Sequence, residues 1–237
     1  MKVAALYVAT NGCYFNLPDV DPWDEPRDAR KFWGPGPVVA HPPCERWGRY
    51  SEGGPSHHGR FKTGDDGGAF AHALGALFKF GGVLEHPKDS KAWDAFQIVK
   101  PHRSGGWAMD SRTNVWVCCV EQGHYGHRAR KPTWLIYHSP VGVRPPDLIW
   151  GESQMMLPPQ TEDSLARRGR GAYTVNNAIE RMCKRERLAT PILFRDLLLQ
   201  LARLSVGFQE TRGWALCHPR GGRAGLSQTP GPPQPIW

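Results

Sequence analysis

Pro37-Val38-Val39-Ala40-His41-Pro42-Pro43-Cys44-Glu45-Arg46-Trp47-Gly48-Arg49-Tyr50-Ser51 decides how the chain is read. The short apolar run from Pro37 to Ala40 has the composition of a buried strand. Two prolines then stop it, because proline can neither donate to a sheet ladder nor extend one. Cys44 is therefore expected at the carboxyl end of that strand, the edge where open α/β sheets bind ligands. Glu45, Arg46 and Arg49 follow at once, and charged neighbours of this kind favour a thiolate. Prolines rather than packing residues frame the thiol, which weighs toward a reactive cysteine over a merely buried one.

Working outward, Val3 to Ala9 is an apolar run bounded by Thr10-Asn11-Gly12 and reads as a buried first strand. Leu17 to Pro37 is rich in Asp, Pro and Trp without sustained periodicity, and reads as a long loop. Ser51 to Gly68 is glycine-rich and basic, a flexible loop able to close over something bound beside Cys44. Ala69 to Phe80 sets Phe70, Ala73, Leu74, Leu77 and Phe78 on one helical face. Gly81 to Pro87 repeats the first pattern, a short strand cut off by proline with Glu85 near its carboxyl end. A short helix (Ser90 to Phe96) follows, then strands at Val115–Val120 and Thr133–Tyr137 on either side of a basic stretch holding Arg128 and Arg130. Thr190-Pro191 starts a helix running to Leu204. Strands alternating with helices predict an α/β fold, a mainly parallel sheet flanked by helices.

The chain has 237 residues, enough for one good-sized domain, and 40% hydrophobic content with ten tryptophans supplies a core. A net charge of +8 suits a polyanionic partner. Six cysteines in this length form no dense disulfide framework. The adjacent Cys118 and Cys119 point to opposite faces of a strand and cannot share a metal. His124 and His127 lack an orthodox zinc spacing, and no metal is expected. No apolar stretch reaches the length of a membrane span. The expectation is a monomer in the reducing cytoplasm. Residues 1–138 form the catalytic core, 139–206 a small basic recognition segment with a helix returning to the core, and 207–237 a disordered tail.

Cys44, Glu85 and the Arg128/Arg130 pair all fall at predicted strand ends. A thiolate can add to C6 of a pyrimidine and make C5 a nucleophile. A carboxyl group can hold or protonate N3 and accept from the exocyclic amine of cytosine, provided burial lifts its pKa toward neutral. Arginine can grip the base's O2 or a phosphate. On the residues alone, Glu85 is equally a surface acid capping a strand and the arginines a solvated turn. His41 reads as a hydrogen-bonded strand-end residue rather than a general base.

In order and placement this set resembles the DNA cytosine-5 methyltransferase family. The family's Pro-Cys loop with a following serine is similar to Pro43-Cys44 and Ser51. Its Glu-Asn-Val corresponds to Glu85-His86-Pro87, its Gln-x-Arg-x-Arg to the segment ending Arg128-Ala129-Arg130, and its late helix to the one after Thr190-Pro191. The resemblance implies a reduced Rossmann-like methyltransferase fold. It makes Cys44 the nucleophile, Glu85 the N3 contact, and Arg128 and Arg130 supports for thiol and base. S-adenosylmethionine is the implied cofactor, with Thr10, Gly12, Asp28 and Pro43 along its edge. DNA is the implied partner, its target base flipped out of the stack and the gap filled by Ser51–Gly68.

The chain departs from the pattern at the cofactor side. Gly12 stands alone where the family has Phe-x-Gly-x-Gly, and only Cys13 to Gly36 replaces a helix, an acid-tipped strand that holds the ribose, and another strand. Asp19, Asp21 and Asp28 are the candidate acids. Gln122 is a displaced candidate for the missing glutamine. The recognition region, Ser139 to Arg187, is about fifty residues, a size suited to a bacteriophage or mobile element. Two other readings stand beside this one: a non-catalytic DNA-binding relative, and a pyrimidine-modifying enzyme with another one-carbon donor.

Overall fold

A computed structural model of the chain describes residues 1–54, 59–154 and 184–208. Its strands are β1 (Val3–Leu6), β2 (Val20–Trp23), β3 (Val38–Ala40), β4 (Gly82–Pro87), β5 (Ala108–Asp110), β6 (Val115–Glu121) and β7 (Pro132–His138). They form one sheet in the order β2-β1-β3-β4-β7-β6-β5. The helices are α1 (Ala69–Phe80), α2 (Ala92–Ala95), α3 (Lys184–Leu188) and α4 (Ile192–Ser205).

The sheet has two halves. β2, β1, β3 and β4 pair in parallel, whereas β4–β7, β7–β6 and β6–β5 pair antiparallel. The α/β class is as expected, and the sheet is mixed, with its antiparallel pairs confined to one half. The reason is the short link from β6 to β7, which holds only a 3-10 turn (Gln122–Tyr125) where a parallel return needs a crossover helix.

Side-chain alternation gives the sheet two buried faces. Leu6, Val38, Ala40, Leu84 and Ile136 lie under α1, whose Phe70, Ala73, Leu74 and Leu77 face them. Val3, Ala5, Val39, Val83, Leu135 and Tyr137 lie under α4, through Phe194, Leu197, Leu198 and Leu201. The bounds of α1 are those the sequence predicts, although Ala76 is buried where Phe78 was expected and Phe78 is exposed. Cys118 and Cys119 belong to opposite faces, as the pleat requires.

Two strands had no clear signal in the sequence. β2 lies inside the stretch read as a loop, and tolerates Pro22 because it is the sheet's outermost strand. β5 is three residues long at the other edge. The basic residues Arg167, Arg168 and Arg170 and the expected tail, apart from its first two residues, lie outside the described residues. Among those described, no helix is long and apolar enough to cross a membrane.

Candidate active site

The parallel strands β2, β1, β3 and β4 end along one edge of the sheet, and the antiparallel β7 begins there. Residues that follow the four strands, or precede β7, are thus gathered by pairing alone. β3 and β4 are in register at Ala40 and Leu84, so His41 and Glu85 come side by side where that pairing ends, Glu85 remaining paired with Leu135 of β7. Their side chains meet, with His41 Nδ1 at 2.7 Å from Glu85 Oε1. His41 Nε2 is 2.8 Å from the hydroxyl of Tyr14, a buried residue of the β1–β2 connection. An ionised carboxylate only accepts, so a neutral His41 donates from Nδ1 to Glu85 and accepts from Tyr14 at Nε2.

Burial pushes the Glu85 carboxyl up, but the hydrogen bond and charge of His41, then Lys131 and His86, outweigh it and hold it below the ordinary carboxylate range. This corrects the expectation that burial lifts Glu85 toward neutral. The imidazole beside it reverses the sign.

Cys44 sits half-buried after the two prolines. Burial raises its pKa, the charge of Glu85 adds to that, and the smaller pulls of its own backbone N–H and of Lys131 do not cancel them. The resting group is the thiol. Arg46 and Arg49, expected to favour a thiolate, lie instead over aromatic rings, 3.6 Å from the Phe61 centroid and 5.3 Å from that of Tyr50.

The two arginines of the resemblance are engaged elsewhere. Arg128 Nη1 is 3.3 Å from Glu186 on α3, and Arg130 Nη1 is 2.9 Å from Glu152. The cation whose charge acts on both Cys44 and Glu85 is Lys131, the residue before β7. Burial lowers the Lys131 pKa and the two anionic neighbours pull it back up. Gln122 is buried and donates to Thr133 Oγ1 at 2.8 Å, tying the β6–β7 link rather than facing the thiol. The candidate zinc histidines approach backbone carbonyls, His124 that of Gly151 at 3.2 Å and His127 that of Arg187 at 3.3 Å.

Beneath the Cys44 loop lies an apolar floor. His86 is 1% exposed, stacked on Trp93 with centroids 6.2 Å apart and against the edge of Phe70 at 5.3 Å. Burial keeps it neutral, its pKa pushed down to about 4. The described parts of Ser51–Gly68 are pinned, not loose. Ser51 is buried between Thr63 Oγ1 at 2.8 Å and Lys91 Nζ at 2.9 Å. Trp47 Nε1 donates to Asp66 at 2.8 Å. The middle of that loop, residues 55–58, lies outside the described residues.

Along the β1–β2 end of the strand-end edge a further acid stands beside those the sequence suggested. Asp24 immediately follows β2, is buried, and accepts from the Thr10 hydroxyl at 2.8 Å. Asp28 instead caps the 3-10 turn Ala29–Lys31 and binds Arg30 Nε at 2.7 Å. Asp21 binds Arg27 and Trp23, and Asp19 binds Arg203 of α4. Gly12 closes a tight turn on the Ala9 carbonyl, which an added Cβ would approach to 2.8 Å. Pro43 is exposed on the loop before Cys44. Asp24 carried little signal, since its strand is four residues long and interrupted by proline. No protein-family profile, curated protein or solved structure matches the chain.

Proposed function

We propose that the protein modifies cytosine in DNA at C5, through a bond between Cys44 and C6 of the base, with a methyl group taken from S-adenosylmethionine. The observation that carries this reading is Cys44, just past the end of β3, lying within the electrostatic reach of a half-buried, hydrogen-bonded Glu85 on the adjacent parallel strand β4 and of Lys131. Nucleophile, N3 contact and a cation for the charge that develops on the base then have one residue each. Lys131 takes the part that the resemblance gave to Arg128 and Arg130. A thiol hydrolase is disfavoured, because both ring nitrogens of His41 are occupied by Glu85 and Tyr14 rather than turned to the sulfur.

The cofactor edge fits a ribose-bearing ligand. Asp24, buried at the end of β2 beside Thr10, offers a carboxylate for hydroxyl groups, and the tight turn at Gly12 keeps the backbone low there. These residues and Pro43 would hold S-adenosylmethionine, which supplies an electrophilic methyl group when bound. The parallel half of the sheet is then a reduced Rossmann-like scaffold. A net charge of +8 supports DNA as the partner. The four described cysteines are free, in keeping with a monomer working in the reducing cytoplasm.

The test is trapping on duplex DNA containing 5-fluorocytosine, whose C5 fluorine cannot leave as a proton. A denaturation-resistant complex that requires S-adenosylmethionine and vanishes in Cys44→Ser is the expected result. An adduct indifferent to the cofactor replaces the methyl donor by another one. No adduct, with salt-sensitive DNA binding, leaves a non-catalytic relative.

A further inference from the structure

Glu85 has a difficulty as an N3 contact. The N3 of cytosine carries a lone pair, and an ionised carboxylate only accepts, so the two repel unless a proton sits between them. His41 holds Glu85 in that ionised form. Among the described residues His41 is its one hydrogen-bonding partner, at Oε1, leaving Oε2 to a substrate.

We infer that Tyr14, His41 and Glu85 form a proton relay, in which His41 supplies the proton that N3 takes up when Cys44 adds to the base and recovers it when the thiolate leaves. The inference rests on the cytosine reading above. In the addition step the sulfur electron pair makes the S–C6 bond. The C5=C6 pair becomes C4=C5, and the C4=N3 pair moves onto N3, which takes a proton from the Glu85 carboxyl. Glu85 takes the Nδ1 proton of an imidazolium His41, which ends neutral. Thiolate and imidazolium thus become a neutral adduct and a neutral imidazole. Expulsion of the thiolate runs the proton back along the same path.

The surroundings suit both states of His41. Tyr14 both donates and accepts, so it stays bonded to Nε2 whether that nitrogen is bare or protonated. Burial pushes Tyr14 well above the usual phenol range, so it keeps its own proton. The charged and titratable groups around the relay are Glu85 and His86 from β4, Lys131 before β7, Cys44 in the loop after β3, and Cys13, Arg195 and Asp196 around Tyr14. Arg195 of α4 also donates to the Cys13 carbonyl at 2.9 Å, fixing the loop that carries Tyr14.

His41 acts through Glu85 and is a positioning residue, so its test must separate proton supply from support. The readout is exchange of the C5 hydrogen of cytosine in duplex DNA with solvent, which reports the Cys44 adduct without any methyl donor. The pH profile of this exchange is compared between wild type and variant, its acid limb being loss of the Cys44 thiolate. His41→Asn keeps a donor for Glu85 but cannot pass a proton. It should exchange about a hundredfold more slowly and with an altered pH profile. A uniformly slower variant with the wild-type profile overturns the relay while leaving the cytosine reading intact. No exchange and no trapped adduct in wild type overturns both. In the free protein, nitrogen NMR should find His41 protonated at Nδ1 at neutral pH, with that signal shifted in Glu85→Gln; a bare Nδ1 overturns the relay whatever the substrate.

Discussion

At the scale of single residues, the site is a balance of charges on one thiol. Glu85 and burial raise the Cys44 pKa while Lys131 lowers it. Lys131→Gln should therefore move the midpoint of Cys44 alkylation to higher pH, and Glu85→Gln should move it lower. Peptide mass spectrometry of iodoacetamide-treated protein follows Cys44 apart from Cys13, which is also partly exposed. Opposite or absent shifts would remove Lys131 from the site. The three-residue chain from Tyr14 to Glu85 could not be read from sequence. Tyr14 and Glu85 are 71 positions apart, and only the pairing of β1, β3 and β4 brings them to one edge.

At the scale of elements, the β3–β4 ladder is what delivers Cys44 and Glu85 together. Gly82 makes that close approach possible. Its φ is +128°, and an added Cβ would lie 2.0 Å from the Val38 carbonyl oxygen. Gly82→Ala should destabilise the fold by about 3 kcal/mol or more, since it adds backbone strain to a collision with backbone. A denaturant midpoint within error of wild type would contradict this. On the other face, Phe194 of α4 is fully buried and 5.5 Å from the Tyr125 ring. Phe194→Ala should cost about 3–5 kcal/mol, read in the same assay. α4 was legible from its apolar spacing and Thr190-Pro191 start, whereas β2 and β5 were too short to show a period.

At the scale of the whole molecule, acid sensitivity follows from the neutral His86 in the floor. The unfolded chain takes up this proton near 6.5 but the folded one only near 4. The stability it contributes is thus complete above pH 6.5 and is lost as pH falls toward 4, about 3 kcal/mol in all. Glu85, held low, adds a further loss as pH drops through its folded value. His86→Phe should flatten the dependence of the unfolding midpoint between pH 6.5 and 4; an unchanged slope would show that other groups cause it. If DNA is the partner, the charge of +8 predicts that the logarithm of the binding constant falls linearly with the logarithm of salt concentration, measurable by fluorescence anisotropy.

The sequence by itself determined the α/β class, the two apolar strands that run into prolines, both long helices and the placing of Cys44 just past a strand end. These are local matters, set by apolar runs, helical spacing and the stereochemistry of proline. Tertiary structure decided the rest. Strand order and direction gave the sheet its antiparallel half and set Asp24 directly after β2. It drew Arg128 and Arg130 to Glu186 and Glu152 and made Lys131, whose Nζ donates to the Ala189 carbonyl at 3.2 Å, the cation whose charge acts on Cys44 and Glu85. It also reversed the electrostatics of Glu85 and Cys44. Burial and through-space charge set a pKa, and both depend on partners that the order of residues along the chain does not reveal.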